Sequence, residues 1–248
     1  MTVIFKKYLS EARIKAFEVI DSENPKQIYF ANVALCEAFY TSIHFLEIIL
    51  RNKITKAVAI VAGEDWLKVD KSVIIDNFEL ENLKKSRQNL LKINKELSSD
   101  NIIAELNFGF WVSFFHKKYE SKIWQKKRIL QNVFPNFRNS GLLLNVKKIR
   151  ADLEIIRKLR NRIFHHEPII SSVPSLQLAH QLMYLYIKSM APELVEEILQ
   201  SDRFLQYCAE DNVLGKMAMR ARLQGSLGSV GSQEFLKNLK IKIESKKL

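Results

Sequence analysis

An all-α fold is predicted, and three observations predict it. Apolar residues recur at three- and four-residue spacing along most of the chain. Only 7 Gly and 5 Pro punctuate 248 residues, too few for the many turns of an all-β protein. No segment shows a strong strand pattern; only Val69 to Phe78 has room for a short one. With 47% hydrophobic residues, a chain of this length buries an ordinary core. We therefore expect one helical domain over 1–223, a Gly/Ser linker over 224–232, and a basic amphipathic tail over 233–248.

The elements follow in order. Phe5 to Ile20 places Leu9, Ala12, Ala16, Val19 and Ile20 on one side of a helix. Asp21 to Pro25 reads as a stop and a new start, because Pro suits a first helical turn. A long apolar helical run extends from Gln27 to Ala62, with Gly63 as terminator. Trp66 and Leu67 precede a polar helix from Glu79 to Leu97, and Ser98-Ser99-Asp100 marks the next cap. Ile102 to Phe115 is aromatic-rich and suits a buried core helix, or else a platform on which bases stack. A short basic segment, Tyr119 to Leu130, leads to a loop around Pro135, Asn139 and Gly141. Leu142 to His166 is a long helix that Glu167-Pro168 ends, since a residue before Pro is pushed out of the helical region. Ser171 to Met190 is helical, Pro192 starts another helix, and Arg203 to about Leu223 is weaker. The tail Phe235 to Lys247 suits docking on the body, on RNA or on a partner, or simply frays.

Composition narrows the function. Cys36 and Cys208 lie far apart, near no ligand cluster, as in a reduced cytoplasmic protein without a disulfide or zinc site. The N-terminus lacks the apolar core of a signal peptide. Apolar stretches such as Ala57 to Ala62 and Phe108 to Phe115 are too short to span a bilayer, so no membrane partner is expected. His44 and His180 read as core or surface histidines rather than ligands. There is no P-loop, dinucleotide loop or nucleophile elbow. No cofactor or metal is expected. The net charge is +12, and Lys117 to Arg162 alone holds 14 Lys/Arg against three acids, an excess of +11. Local excess of that size suits a polyanion, with Lys126, Lys127, Arg128, Lys147, Lys148 and Arg157 as candidate RNA contacts; solvated helix faces are the plainer alternative.

That basic segment ends in Arg160-Asn161-Arg162-Ile163-Phe164-His165-His166. The long helix carries an apolar stripe at Leu142, Val146, Ile149, Leu153, Ile156 and Ile163, and Arg160 falls on it. A guanidinium there needs a partner or a wet cleft, unless Leu159 fills the apolar place and Arg160 flanks it. Asn161 and His165 share a face, four residues apart, and Arg160 and His165, five apart, are near neighbours across one and a half turns, so Arg, Asn and His are expected in one patch. Histidine takes and gives a proton near neutral pH. Arginine holds a phosphate by paired hydrogen bonds. RNA brings its own nucleophile, the 2′-hydroxyl. These groups suffice for cleavage without metal, although an Arg and a His at this spacing also occur by chance, and two histidines before Glu-Pro can be only a cap.

Leu159 to Ile169 resembles the signature of the Abi-like abortive-infection proteins of the HEPN superfamily, an Arg-x4-6-His pattern often with Asn after the Arg. Phe45 to Ile54 resembles that family's early Leu-Glu-x3-Arg-Asn helix, and Leu106 to Val112 its Phe-Gly-Phe-Trp block. The three occur in the family's order, over roughly residues 25–190. The resemblance implies a HEPN-like helical bundle with additional helices and a homodimer with a composite active cleft. It further implies metal-independent RNA cleavage in phage defence or as a toxin. Arg160 and His165 carry over as catalytic and Asn161 as the positioning residue. His166 and Arg162 are candidate accessory groups for proton transfer and phosphate binding. Glu47 and Arg51 either buttress the motif, contact RNA or form a surface ion pair. RNA is the expected partner, with an antitoxin or phage-derived trigger as a further one. The alternatives are a non-catalytic RNA-binding module and a helical subunit whose charge serves an acidic protein.

Overall fold

The computed structural model describes residues 3–126 and 128–207. Among them the chain is helical throughout, with no strand, so the all-α expectation holds and Val69 to Phe78 is irregular chain up to the start of the next helix. The predicted linker, the basic tail, Cys208 and Lys127 lie outside the described residues.

The described chain divides into two compact units, each discontinuous in sequence. The first comprises residues 3–38, 168–178 and 203–207. The expected helix from Phe5 to Ile20 is two helices here, α1 (Val3–Leu9) and α2 (Glu11–Glu18). Ser10 breaks them apart with φ 66°, and its hydroxyl accepts from the Arg13 N–H, a cap that competes with helix continuation. The next helix, α3 (Pro25–Ala38), begins at Pro25 as predicted, and α2 packs against it through Phe17 and Tyr29, ring centroids 5.0 Å apart. Asn32, buried on α3, accepts through Oδ1 from the N–H groups of Ile169 (2.7 Å) and Ile170 (3.1 Å). One side chain thereby satisfies two buried donors that no helix supplies with partners.

The second unit comprises residues 39–167 and 179–202. Its first helix, α4 (Tyr40–Ala62), ends at Gly63, whose φ of 89° only glycine adopts without strain. Phe39 separates α3 from α4, so the expected single run is two helices. Taken together, Pro25–Ala62 is long and apolar enough to cross a bilayer, an exception to the expectation that no stretch is; core helices of soluble proteins pass the same test. Leu46, Leu50, Ile54 and Val58 of α4 are fully buried.

The next α-helices of this unit are α5 (Asn77–Lys92), α6 (Ser99–Glu105), α7 (Phe108–Ser113), α8 (Ile129–Val133), α9 (Phe137–Ser140) and α10 (Val146–Phe164), with a 3-10 turn at Lys117–Tyr119 and a π-helical turn at Glu120–Trp124 between α7 and α8. They are followed by α11 (Val173–Met190), whose first residues belong to the first unit, and α12 (Val195–Ser201). A last short helix, α13 (Phe204–Tyr207), lies in the first unit. Ser98 caps α6 as predicted, its hydroxyl accepting from Asn101 N–H. Around α7 the aromatic block is core: Phe108, Phe110, Trp111, Phe114 and Phe115 are all buried, which removes the base-stacking alternative. Trp66 packs edge-on against Trp111 and Phe114. In turn α7 packs against both α4 and α10 and so fixes the motif helix in this unit.

Candidate functional site

The motif closes α10. Asn145 caps its start, Oδ1 accepting from Lys148 N–H at 2.9 Å. Buried Val146, Ile149, Leu153, Ile156 and Leu159 form the core face, with Asp152 buried beside them. Leu159 thus takes the last buried apolar place, and Ile163, expected there, is only half-buried. At the other end His166 adopts φ 57°, the left-handed conformation. Its N–H donates to the Ile163 carbonyl (3.0 Å) and the Glu167 N–H to the Arg162 carbonyl (2.9 Å). This is the Schellman pairing, with histidine in the place where glycine is commonest. The expected stop before Pro168 is therefore a hydrogen-bonded cap, and the turn places His165 and His166 in the open.

Arg160 lies toward the core face and is partnered, as its position demands. Its Nε is covered by protein and lies 3.5 Å from Glu47 Oε2 on α4, an ion pair without a hydrogen bond. Its guanidinium carbon sits 4.3 Å from the centre of the Phe164 ring, within cation–π range. The side chains of Arg160 and Glu47 are 24% and 19% exposed, so the pair is neither free in water nor sealed. Arg51, one turn beyond Glu47, is also half-buried, and its Nε has no hydrogen-bond partner among the described residues. Arg162 pairs with Glu167, Nε to Oε2 at 3.4 Å.

Arg160, Glu47 and Phe164 therefore come together. Asn161 is half-buried and His165 is exposed on the adjoining side of the helix. At 100° per residue, Arg160 and His165 diverge by about 140° around the axis, so, against the expectation of one patch, Arg160 turns to Glu47 and Phe164 while His165 faces solvent. No hydrogen bond or ion pair joins these two side chains within the described chain.

The predicted RNA contacts divide into two sets. Lys148 is held by Asp152 at 2.5 Å, and Arg157 by both carboxylate oxygens of Glu154 at 2.5 and 2.8 Å. The Arg157 hydrogen bonds depress the Glu154 carboxyl below its ordinary range. Lys126, Arg128 and Lys147 are exposed, Arg128 with φ 55°.

Several polar groups went unseen in the sequence. Half-buried His116 has its imidazolium disfavoured, first by burial and then by the charges of Arg150 and Lys118. Buried Glu79 accepts from Tyr119 Oη (2.6 Å) and Lys118 Nζ (2.9 Å), which ties α5 to the turn following α7. Burial and that carboxylate push the Tyr119 phenol above its ordinary range. Asp202 is buried with His180 Nε2 at 2.9 Å and Tyr184 Oη at 2.6 Å. His180 is thus a core histidine, and exposed His44 stacks on Tyr40. Among the described residues no group of three or more His, Cys, Asp or Glu is placed to hold a metal ion. A shallow depression lined by Val61, Ala62, Val69 and Ile74 lies roughly 20 Å along α4 from Glu47 and gathers no catalytic set.

No protein-family model, curated protein or solved structure matches the chain.

Proposed function

We propose that this chain is a homodimeric, metal-independent endoribonuclease of the HEPN type, acting in the cytoplasm in abortive infection with a toxin-like effect. The observation that carries the reading is the end of α10. A half-open arginine is held in place by Glu47 and the Phe164 ring, and an exposed histidine stands on the C-terminal turn of the same helix. Both lie at the end of the most basic part of the chain.

The chemistry follows from those groups. His165 removes the proton of a ribose 2′-hydroxyl, and the oxygen attacks the neighbouring phosphorus. Arg160 stabilises the charge that builds on the phosphoryl oxygens, while Asn161 orients the phosphate or the imidazole. The bond to the 5′-oxygen breaks, that oxygen gains a proton, and a cyclic phosphate remains. Because Arg160 and His165 diverge around α10, a second protomer that supplies its own copies would complete the site. An antitoxin or phage-derived trigger would act on that assembly.

One observation favours a non-catalytic RNA-binding or protein-interaction module instead: Arg160 and Arg162 each already hold a carboxylate. Comparison of His165→Ala and Arg160→Ala with wild type separates the readings. The nuclease reading expects cleavage to vanish in both with the helical circular dichroism intact. RNA binding by wild type without any cleavage establishes the alternative.

A further inference from the structure

We infer that one ridge of α10, running from Lys147 through Arg150 and Lys158 to Asn161 and His165, is the track on which the RNA backbone lies. The inference rests on the RNA reading above and deepens it, because it names the path of the strand outside the motif.

The geometry of the helix supports it. At 100° per residue, positions 147, 150, 154, 158, 161 and 165 fall within an arc of about 80°. Lys147, Arg150, Lys158 and His165 are exposed. The one acid on the ridge, Glu154, is neutralised by Arg157 through two hydrogen bonds, so it does not repel a polyanion as a lone carboxylate would. Eighteen residues of rise make the ridge roughly 27 Å long, enough for several successive phosphates. The core face of Val146, Ile149, Leu153 and Ile156 is turned away from it, so the cations stand on a fixed rod.

A second element contributes. The α7 helix packs against α10, and half-buried His116, three residues beyond α7, has its imidazolium disfavoured first by burial and then by Arg150 and Lys118, with Glu79 and Glu154 opposing. The ridge carries no large apolar side chain. A protein partner needs such anchors at the centre of its interface, whereas a phosphate backbone needs spaced cations. The ridge also revises the RNA-facing residues expected from charge alone: Lys148 and Arg157 are tied to carboxylates, while Arg150 and Lys158 take their place.

The test is fluorescence anisotropy on the full chain with a labelled single-stranded 2′-O-methyl oligoadenylate of about twelve nucleotides, which lacks the attacking hydroxyl and stays intact, across a salt series. Lys147→Glu/Arg150→Glu is expected to weaken binding at least tenfold. Lys147→Gln/Arg150→Gln is expected to lower the slope of log K against log salt by about 0.7 for each phosphate no longer neutralised. Lys84→Glu/Lys85→Glu, on the exposed side of α5, should bind nearly as wild type. In parallel, saturating RNA should raise the His116 pKa in an NMR titration, because phosphates would offset Arg150. Ridge variants that bind as wild type overturn the track alone and leave the ridge to an acidic protein partner. Equal weakening by the α5 variant overturns it as a bulk charge effect. A wild-type chain with no affinity for RNA overturns both the track and the nuclease reading.

Discussion

The Glu47–Arg160 pair is open to a quantitative test by double-mutant cycle. At 3.5 Å and an effective dielectric near 20, the gross attraction is about 5 kcal/mol. Most of it is offset by the water both groups give up, and exposures of 24% and 19% screen part of the rest. The pair lacks a hydrogen bond, which lowers the net further. A coupling of about 1–2 kcal/mol remains. The cycle uses Glu47→Gln, Arg160→Met and the double variant, each unfolded by urea with circular dichroism as the probe. Glu47→Gln alone should cost more than the double change, because it leaves a half-buried guanidinium without its counter-charge. Phe164→Leu should remove a further increment of about 0.5–1 kcal/mol, since the guanidinium then has no ring face beside it. A coupling indistinguishable from zero would refute the claim that Glu47 holds Arg160.

Other expectations concern the rest of the chain. Asn32→Ala should destabilise by about 2–4 kcal/mol in urea unfolding, because the buried N–H groups of Ile169 and Ile170 lose their acceptor. His166→Gly should leave stability unchanged or raise it by up to about 1 kcal/mol, since glycine adopts its left-handed backbone more readily. The same variant should still cleave RNA; loss of cleavage would move the catalytic role from His165 to His166. His116 should titrate below the usual value of about 6.5 in NMR. The unfolded chain then takes up the proton first, so stability is full above about pH 6.5 and declines as pH falls toward the folded value. His116→Asn should flatten that part of the profile. Light scattering should give about twice the 28.9 kDa chain mass if the homodimer forms.

The sequence revealed whatever depends on local pattern. Helical periodicity, Pro25 at a first turn, Gly63 as a stop and Ser98 as a cap are decided within a few residues, and each appears as expected. Arg160 on an apolar stripe called for a partner, and Glu47 supplies it from a helix more than a hundred residues before it in sequence. The same logic applied to Leu80, Leu83, Arg87 and Leu90 would have flagged Arg87, which is buried and donates to the carbonyls of Leu67 and Val69. Breaks at Ser10 and Phe39 were hidden because the apolar spacing continues across them. Pairings such as Asp202 with His180 and Tyr184, or Glu79 with Tyr119, depend on distant segments meeting, and no local pattern announces them. Within the motif, spacing placed the groups on one helix. Five-residue spacing already turns Arg160 and His165 about 140° apart on a helix, and the structure adds the partner, with Arg160 turned toward Glu47 and His165 to solvent.

Metal-independent cleavage by His165 is tested by end-group analysis of RNA incubated with the chain in excess EDTA. Fragments ending in a 2′,3′-cyclic phosphate should form with wild type and be absent with His165→Ala. Intact RNA with wild type, or equal cutting by the two proteins, would contradict it.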